Sequence, residues 1–261
     1  CLAAGGTLGI LIPPSIILVI YAIITEQSIG DLFLAAIIPG VIATFYYIIA
    51  VWFYVRVKPE SGPAGERYDW KERFHSLKFV WPVGVIFFIV IGGIYKGVFT
   101  PTEGAAIGAA CTGIVALARK ISWANFLECL IDTAKTTGMI FLILIAAEIY
   151  GSFMALSELP VLITETIIQA EMSPIWVVIV IMVIYILMGA VMDGLAMIII
   201  TVPLFLPVVM GFDIGLSEEA LAIWFGILVL SVVETGLITP PVGINVYVIN
   251  SMAEDVSLLE T

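Results

Sequence analysis

Apolar runs long enough to cross a bilayer follow one another along this 261-residue chain, and they decide what it can fold into. A hydrocarbon core takes about 20 apolar residues of helix. Residues 32–55, 79–95, 102–118 and 136–155 each read as a span, residues 8–24 as a run interrupted by Pro13 and Pro14, and residues 220–252 as a run split by Thr239, Pro240 and Pro241. Two shorter arms, 174–190 and 195–209, flank Val191, Met192, Asp193 and Gly194, with a polar-faced helix expected over 158–171. Six or seven crossings follow from these runs. Hydrophobic residues make up 62% of the chain and charged ones 12%, too few to clothe a water-soluble globule of this size. The class is an all-α polytopic membrane protein.

Charge orients it. Ten Lys and Arg against 21 Asp and Glu give a net charge of -11, which repels a phosphate backbone and excludes nucleic-acid binding. Six of the ten cations fall between Arg56 and Lys78, within the one long polar loop, 56–78, where Trp70, Phe74 and Leu77 suggest a short interfacial helix. Together with Arg119 and Lys120 this cluster belongs on the cytoplasmic side. Residues 136–261 contain no Lys or Arg but carry twelve acids. Intramembrane acids are costly unless hydrogen-bonded, protonated or close to a bound cation. Cys1, Cys111 and Cys129 have no metal-ligand spacing, and the lone His75 lies in the charged loop, so no metal centre beyond a monovalent ion, no organic cofactor and no catalytic residue is expected. The start at Cys1, in mid-motif, suggests a piece of something longer.

The two proline-broken runs match each other. At an offset of 227, Gly9, Pro13, Pro14, Ile17 and Val19 coincide with Gly236, Pro240, Pro241, Ile244 and Val246, five identities in eleven positions. Alternation of the spans inserts the copies in opposite directions, whether or not the arms at 174–209 cross. Broken helices in inverted copies are characteristic of secondary transporters. Proline removes an N–H and clashes with the preceding turn, so each pair forces an unwound stretch whose carbonyls suit Na⁺. The N-termini of the following half-helices favour a carboxylate. A pair of ordinary proline kinks is the competing reading.

The strings GGTLGILIPPSIILVIYA (Gly5 to Ala22), GVFTPTEGAA (Gly97 to Ala106), MDGLAMIIITVPLFLPV (Met192 to Val208) and ETGLITPPVGINVYVI (Glu234 to Ile249) resemble, in collinear order, the large membrane (M) subunit of tripartite ATP-independent periplasmic (TRAP) transporters. The resemblance implies an inverted-repeat, elevator-type fold like that of the divalent-anion/sodium symporters. It also implies Na⁺-driven uptake of a small carboxylate-bearing solute, a C4-dicarboxylate, sialic acid or similar organic acid, across a bacterial inner membrane. Its partners would be a small membrane (Q) subunit, a periplasmic substrate-binding (P) protein and membrane lipid. On this reading residues 1–30 end the first repeat, 31–135 are scaffold spans around the cytoplasmic loop, 136–173 are a span and connecting arm, and 174–261 are transport domain. The family's first hairpin would lie before Cys1 and a further span after Ser251. Carried over motif by motif, Gly9, Pro13 and Ser15, with Asp193, Gly236, Thr239, Pro240 and Asn245, would bind Na⁺; Pro14, Gly194, Thr235, Pro241 and Gly243 would line the solute cavity.

Several of these residues have plainer readings. Asp193 can cap the second arm as well as orient a site. Thr239 and Asn245 can serve helix packing. Glu103, three residues after Thr100 with Pro101 between them, completes a capping box and is structural first. Glu234 is a coupling acid or the acidic end of a half-helix. Glu148 has no evident role, and Trp52, Trp81 and Trp176 are interface anchors. With no cation in the second half, an anion there must be held by helix N-termini, backbone N–H groups and hydroxyls such as those of Thr201, Thr235 and Thr239, aided by Na⁺. Competing functions are a binding-protein-independent anion/sodium symporter and an intramembrane aspartyl protease, which needs a second buried aspartate beside Asp193.

Overall fold

A computed structural model describes residues 2–62, 69–240, 243, 245, 246 and 248. In chain order the helices are α1 (Leu2–Leu11), α2 (Ile16–Ile24), α3 (Ile29–Val57), α4 (Trp70–Tyr95), α5 (Pro101–Ala118), α6 (Trp123–Ser157), α7 (Leu159–Gln169), α8 (Pro174–Gly189), α9 (Gly194–Met210) and α10 (Glu218–Gly236), with a 3₁₀ turn at Pro59–Ser61. Every regular element among the described residues is helical, as an all-α membrane protein requires: in hydrocarbon each backbone polar group must be paired within its own segment. Among the described residues five stretches are long and apolar enough to cross a bilayer: Gly5–Ile24, which joins α1 and α2, then α3, α5, α6 and α10. Helix α4 bends by 55° between Trp70–Leu77 and Val80–Tyr95 and makes a sixth if counted as one span.

Two segments differ from expectation. The polar loop is shorter than 56–78, because Asp69 starts α4: its carboxylate accepts from Trp70 N at 2.8 Å while Glu72 reaches back to Asp69 N at 3.3 Å. The aromatic stretch Trp70–Leu77 is helical, as expected, and runs on into Val80–Tyr95 through the 55° bend. Residues 123–135 and 136–155, expected as an amphipathic stretch followed by a span, form the single helix α6 of 35 residues. Glu128 and Lys135 are good helix formers, and neither Gly nor Pro interrupts residues 123–137. The expected capping box is present: Thr100 N donates to Glu103 Oε2 at 2.7 Å and Glu103 N to Thr100 Oγ1 at 3.3 Å.

The chain groups into two compact units, one of residues 1–48 and 139–261 and one of residues 49–138, so the divisions fall inside α3 and α6. In the smaller unit α4 and α5 pack through small residues. A side chain at Gly104 would meet Ile94 at 2.9 Å, and one at Gly108 would meet Val90 at 3.2 Å. The Arg56 guanidinium lies 4.6 Å over the exposed Trp52 ring, an amphipathic pairing suited to a membrane interface.

The larger unit holds the core. Helix α10 packs against α8, α1, α9 and α2, and α9 packs against α7, α2 and α8. Leu18, Tyr21, Tyr185, Met197, Phe225 and Leu230 are fully buried between them. Polar tips inside this core are paired: the Tyr21 hydroxyl donates to Ala222 O at 2.6 Å, and the hydroxyls of Tyr185 and Thr201 bond across the α8–α9 hairpin. Gly226 makes the first contact possible, since a Cβ there would lie 2.4 Å from Tyr21 Cε1.

The Tyr21 ring is held by its hydroxyl and cannot swing away. Gly226→Ala should therefore cost about 1–3 kcal/mol by overpacking. It should lower the unfolding temperature of the detergent-solubilised protein, whereas Gly113→Ala, which meets open space, should not.

Candidate functional site

The site starts from the two proline pairs. In an α-helix the carbonyl of residue i accepts from the N–H of residue i+4. Pro13 and Pro14 thus deprive the carbonyls of Gly9 and Ile10 of their donors, and Pro240 and Pro241 deprive those of Gly236 and Leu237. The chain unwinds at residues 12–15 between α1 and α2. There the Ser15 hydroxyl donates to Ile10 O and accepts from Leu18 N at 3.4 Å, which restores one carbonyl and caps α2. At the second break Thr239 N donates to Gly236 O at 2.9 Å and Asn245 N to Leu237 O at 3.2 Å, while the Thr239 hydroxyl takes Thr235 O at 2.6 Å. Ile10 O at the first break and Gly236 O and Leu237 O at the second have thus been recaptured locally, each keeping a second lone pair.

The turn of the α8–α9 hairpin lies against both breaks. Gly243, at φ +55°, donates its N–H to Ala190 O at 3.3 Å. The ends of α8 and α10 cross backbone to backbone: a Cβ on Gly236 would lie 2.9 Å from Gly189 Cα. A Cβ on Gly194 would meet Val233 at 3.0 Å, and Leu237 and Ile17 at 3.7 Å, which places it between the end of α10 and the start of α2. Asp193 is the N-cap of α9 and accepts from Leu195 N at 3.0 Å and Ala196 N at 3.5 Å.

Of the residues expected to bind Na⁺, then, Asp193, Gly236, Thr239 and Asn245 come together at the second break and the hairpin turn, with Pro240 exposed beside them. Ser15 and Pro13 are buried at the first break, and Gly9 stands on α1 in open surroundings. Among the expected solute-contacting residues, Gly194 and Gly243 are at the hairpin turn, while Pro14 and Thr235 are exposed; Thr235 donates to Ser231 O at 3.0 Å. Pro241 lies outside the described residues.

Glu234, expected as a coupling acid or as the acidic end of a half-helix, has partners that no motif announces. Glu234 is 2% exposed and accepts from the Thr7 hydroxyl at 3.2 Å; the half-buried Tyr47 hydroxyl is in hydrogen-bonding reach of both. Carrying the offset of 227 two residues further upstream would have found Thr7, because it falls opposite Glu234. Tyr47 carries no such signal. Glu148 lines a cleft of about 420 Å³ at the other end of α9, with Glu26, Ser152, Pro203 and Pro207. Among the described residues no three His, Cys, Asp or Glu side chains gather as a metal centre. What the breaks offer instead is uncharged oxygen.

The whole chain, residues 1–261, matches the family model described as tripartite ATP-independent periplasmic transporter, DctM component. It is 34% identical over 251 residues to the C4-dicarboxylate TRAP transporter large permease protein DctM of Pseudomonas aeruginosa, covering 95% of this chain and 57% of that protein. It is 31% identical over 254 residues to the isethionate TRAP transporter permease protein DctMQ of Oleidesulfovibrio alaskensis, covering 96% and 39%. With the sialic acid TRAP transporter large permease protein SiaM of Vibrio cholerae the identity is 29% over 256 residues, covering 97% and 58%. The chain therefore spans less than two thirds of each of these relatives.

The glycines of the two motifs should respond differently to a methyl group. Gly236→Ala forces the backbones of α8 and α10 apart, whereas Gly9→Ala meets no atom within 4 Å. Thermal unfolding and limited proteolysis of the 190–193 turn should show the first variant destabilised by about 1–3 kcal/mol and the second close to wild type.

Proposed function

We propose that this chain, which belongs to the DctM component family of tripartite ATP-independent periplasmic transporters, forms the transport core of a Na⁺-driven importer for a small carboxylate-bearing solute. The observation that carries this reading is the pair of proline-broken helices meeting one hairpin turn inside a unit that has no Lys, Arg or His in residues 1–48 or 139–261. Elementary electrostatics then restricts the mechanism. A carboxylate entering such a unit finds positive potential only at helix N-termini, at backbone N–H groups and at any cation bound beforehand. Na⁺ held by the carbonyl and hydroxyl oxygens of the breaks supplies that charge. Solute binding without the ion is then weak, and the two are carried together.

In this reading Gly9, Pro13 and Ser15 belong to one ion site and Asp193, Gly236, Thr239, Pro240 and Asn245 to the other, with Pro14, Gly194, Thr235, Pro241 and Gly243 facing the solute. The two broken helices are inverted copies, and the unit of residues 1–48 and 139–261 moves as an elevator relative to a scaffold. A periplasmic binding protein delivers the solute and a small membrane subunit braces the scaffold. The location is the bacterial inner membrane, with the cationic end of α3 at the cytoplasmic face. The relatives' cargoes, a C4-dicarboxylate, isethionate and sialic acid, are small organic anions, and the same class is the expected cargo here.

Uptake by the complete transporter, reconstituted with its binding protein, should require Na⁺ and fall to background when K⁺ or choline replaces it. Equal uptake in K⁺ would refute the coupling. Equal uptake without the binding protein would point to a binding-protein-independent symporter.

A further inference from the structure

Glu234 is the feature of the larger unit that the reading above leaves unused. It is the one carboxylate among the described residues that the fold buries, and no Lys, Arg or His exists in its unit to pair with it. A buried acid is ordinarily half of an ion pair. That role is not open here. The carboxylate accepts from the Thr7 hydroxyl of α1 at 3.2 Å, with the Tyr47 hydroxyl of α3 close enough to interact, so its use is as an acceptor that gathers hydrogen-bond donors.

The position of the bond is unusual. Thr7 and Glu234 are 227 residues apart, the same offset that superposes Gly9 on Gly236 and Pro13 on Pro240. They are equivalent points of the two copies, each two residues before the glycine that leads into its break. Equivalent points can touch only where they approach the axis relating the copies. We propose that Glu234 is a positioning residue of the transport cycle: with Thr7 and Tyr47 it pins the two broken helices together at their local two-fold axis and so fixes one ion site relative to the other. This rests on the inverted-repeat, Na⁺-coupled reading above. The seam stands one helical half-turn from Gly9 and Gly236, and a displacement of about 1 Å at a positioning contact is enough to degrade a site. Loosening it should therefore loosen ion binding at both breaks while leaving the helices formed.

The test uses the complete transporter in proteoliposomes, read by the Na⁺ concentration for half-maximal uptake, the steepness of that dependence and the thermal stability. Glu234→Leu and Thr7→Val should raise the half-saturating Na⁺ several-fold and flatten the curve without lowering stability, because the first removes a buried acid. Glu234→Gln keeps an acceptor oxygen for Thr7 and should restore the wild-type curve. The decisive variant exchanges the partners. Thr7→Glu alone opposes two carboxylates and Glu234→Thr alone leaves two hydroxyls, so each should impair uptake, and the double exchange should recover it because a two-fold axis makes the exchanged contact the same contact.

Three results would overturn the proposal: Glu234→Gln as impaired as Glu234→Leu, which would assign the role to charge; Glu234→Leu with an unchanged Na⁺ curve; or a double exchange no better than either single variant. Should wild-type uptake ignore Na⁺ altogether, the coupling reading fails instead. The seam is then judged by the same exchange on the solute concentration for half-maximal uptake.

Discussion

A proline in a membrane helix strands the carbonyl four residues before it, and the rest of this structure depends on how two successive prolines, used twice, are accommodated. A buried polar group without a partner costs on the order of 1–3 kcal/mol or more, and inside a bilayer no solvent is present to relieve it. Ile10 O is recovered by the Ser15 hydroxyl, Gly236 O by Thr239 N and Leu237 O by Asn245 N. The first recovery uses the Ser15 side chain just beyond the prolines, whereas the second break uses backbone N–H groups, that of Thr239 before the prolines and that of Asn245 after them. The second break also needs an external partner. Gly243 in its left-handed conformation turns an N–H toward Ala190 O, so the hairpin turn is held by the break as much as it covers it.

The charge distribution acts on the same place. With no basic side chain in the larger unit, positive potential comes from helix N-termini, and the caps decide how much of it is left. The N-terminus of α9 is occupied by the Asp193 carboxylate, which accepts two of its N–H groups. That of α2 is capped by the neutral Ser15 and keeps its dipole unopposed. Of the two helix starts that meet at Gly194, the one following the first break thus keeps more of its positive potential than the one following the hairpin turn.

What the sequence made legible was whatever a covalent or local rule governs. The breaks at Pro13 and Pro240, the Thr100–Glu103 box and the arms on either side of Asp193 all follow from missing N–H groups or from i, i+3 spacing, and those rules hold in any environment. The Asp69–Glu72 box obeys the same rule, and applying it would have shortened the 56–78 loop. The continuity of α6 was obscured because charged residues at 128–135 mark a change of solvent and not the end of a helix. The Gly189–Gly236 crossing and the approach of Tyr47 to Glu234 depend on residues far apart in the chain, and no spacing rule announces them. Thr7 is the intermediate case: it lies outside the identities of the repeat, yet the repeat's own offset points to it.

The two copies also show that a motif does not by itself fix what its glycine is for. Gly236 is indispensable sterically, because Gly189 backbone stands where a side chain would begin; Gly9, its counterpart, faces no atom within 4 Å. The same residue in the same local sequence is a packing requirement in one copy and an exposed backbone in the other. On the two-fold relation proposed above, the open surface at Gly9 would be the counterpart of the surface the hairpin covers at Gly236. On that proposal glycine at both positions would serve a close backbone approach, with the Thr7–Glu234 bond lying between the two. A helix pair so tied would carry one site on each side of the tie, one under the hairpin turn and one at the first break, without either distorting the other.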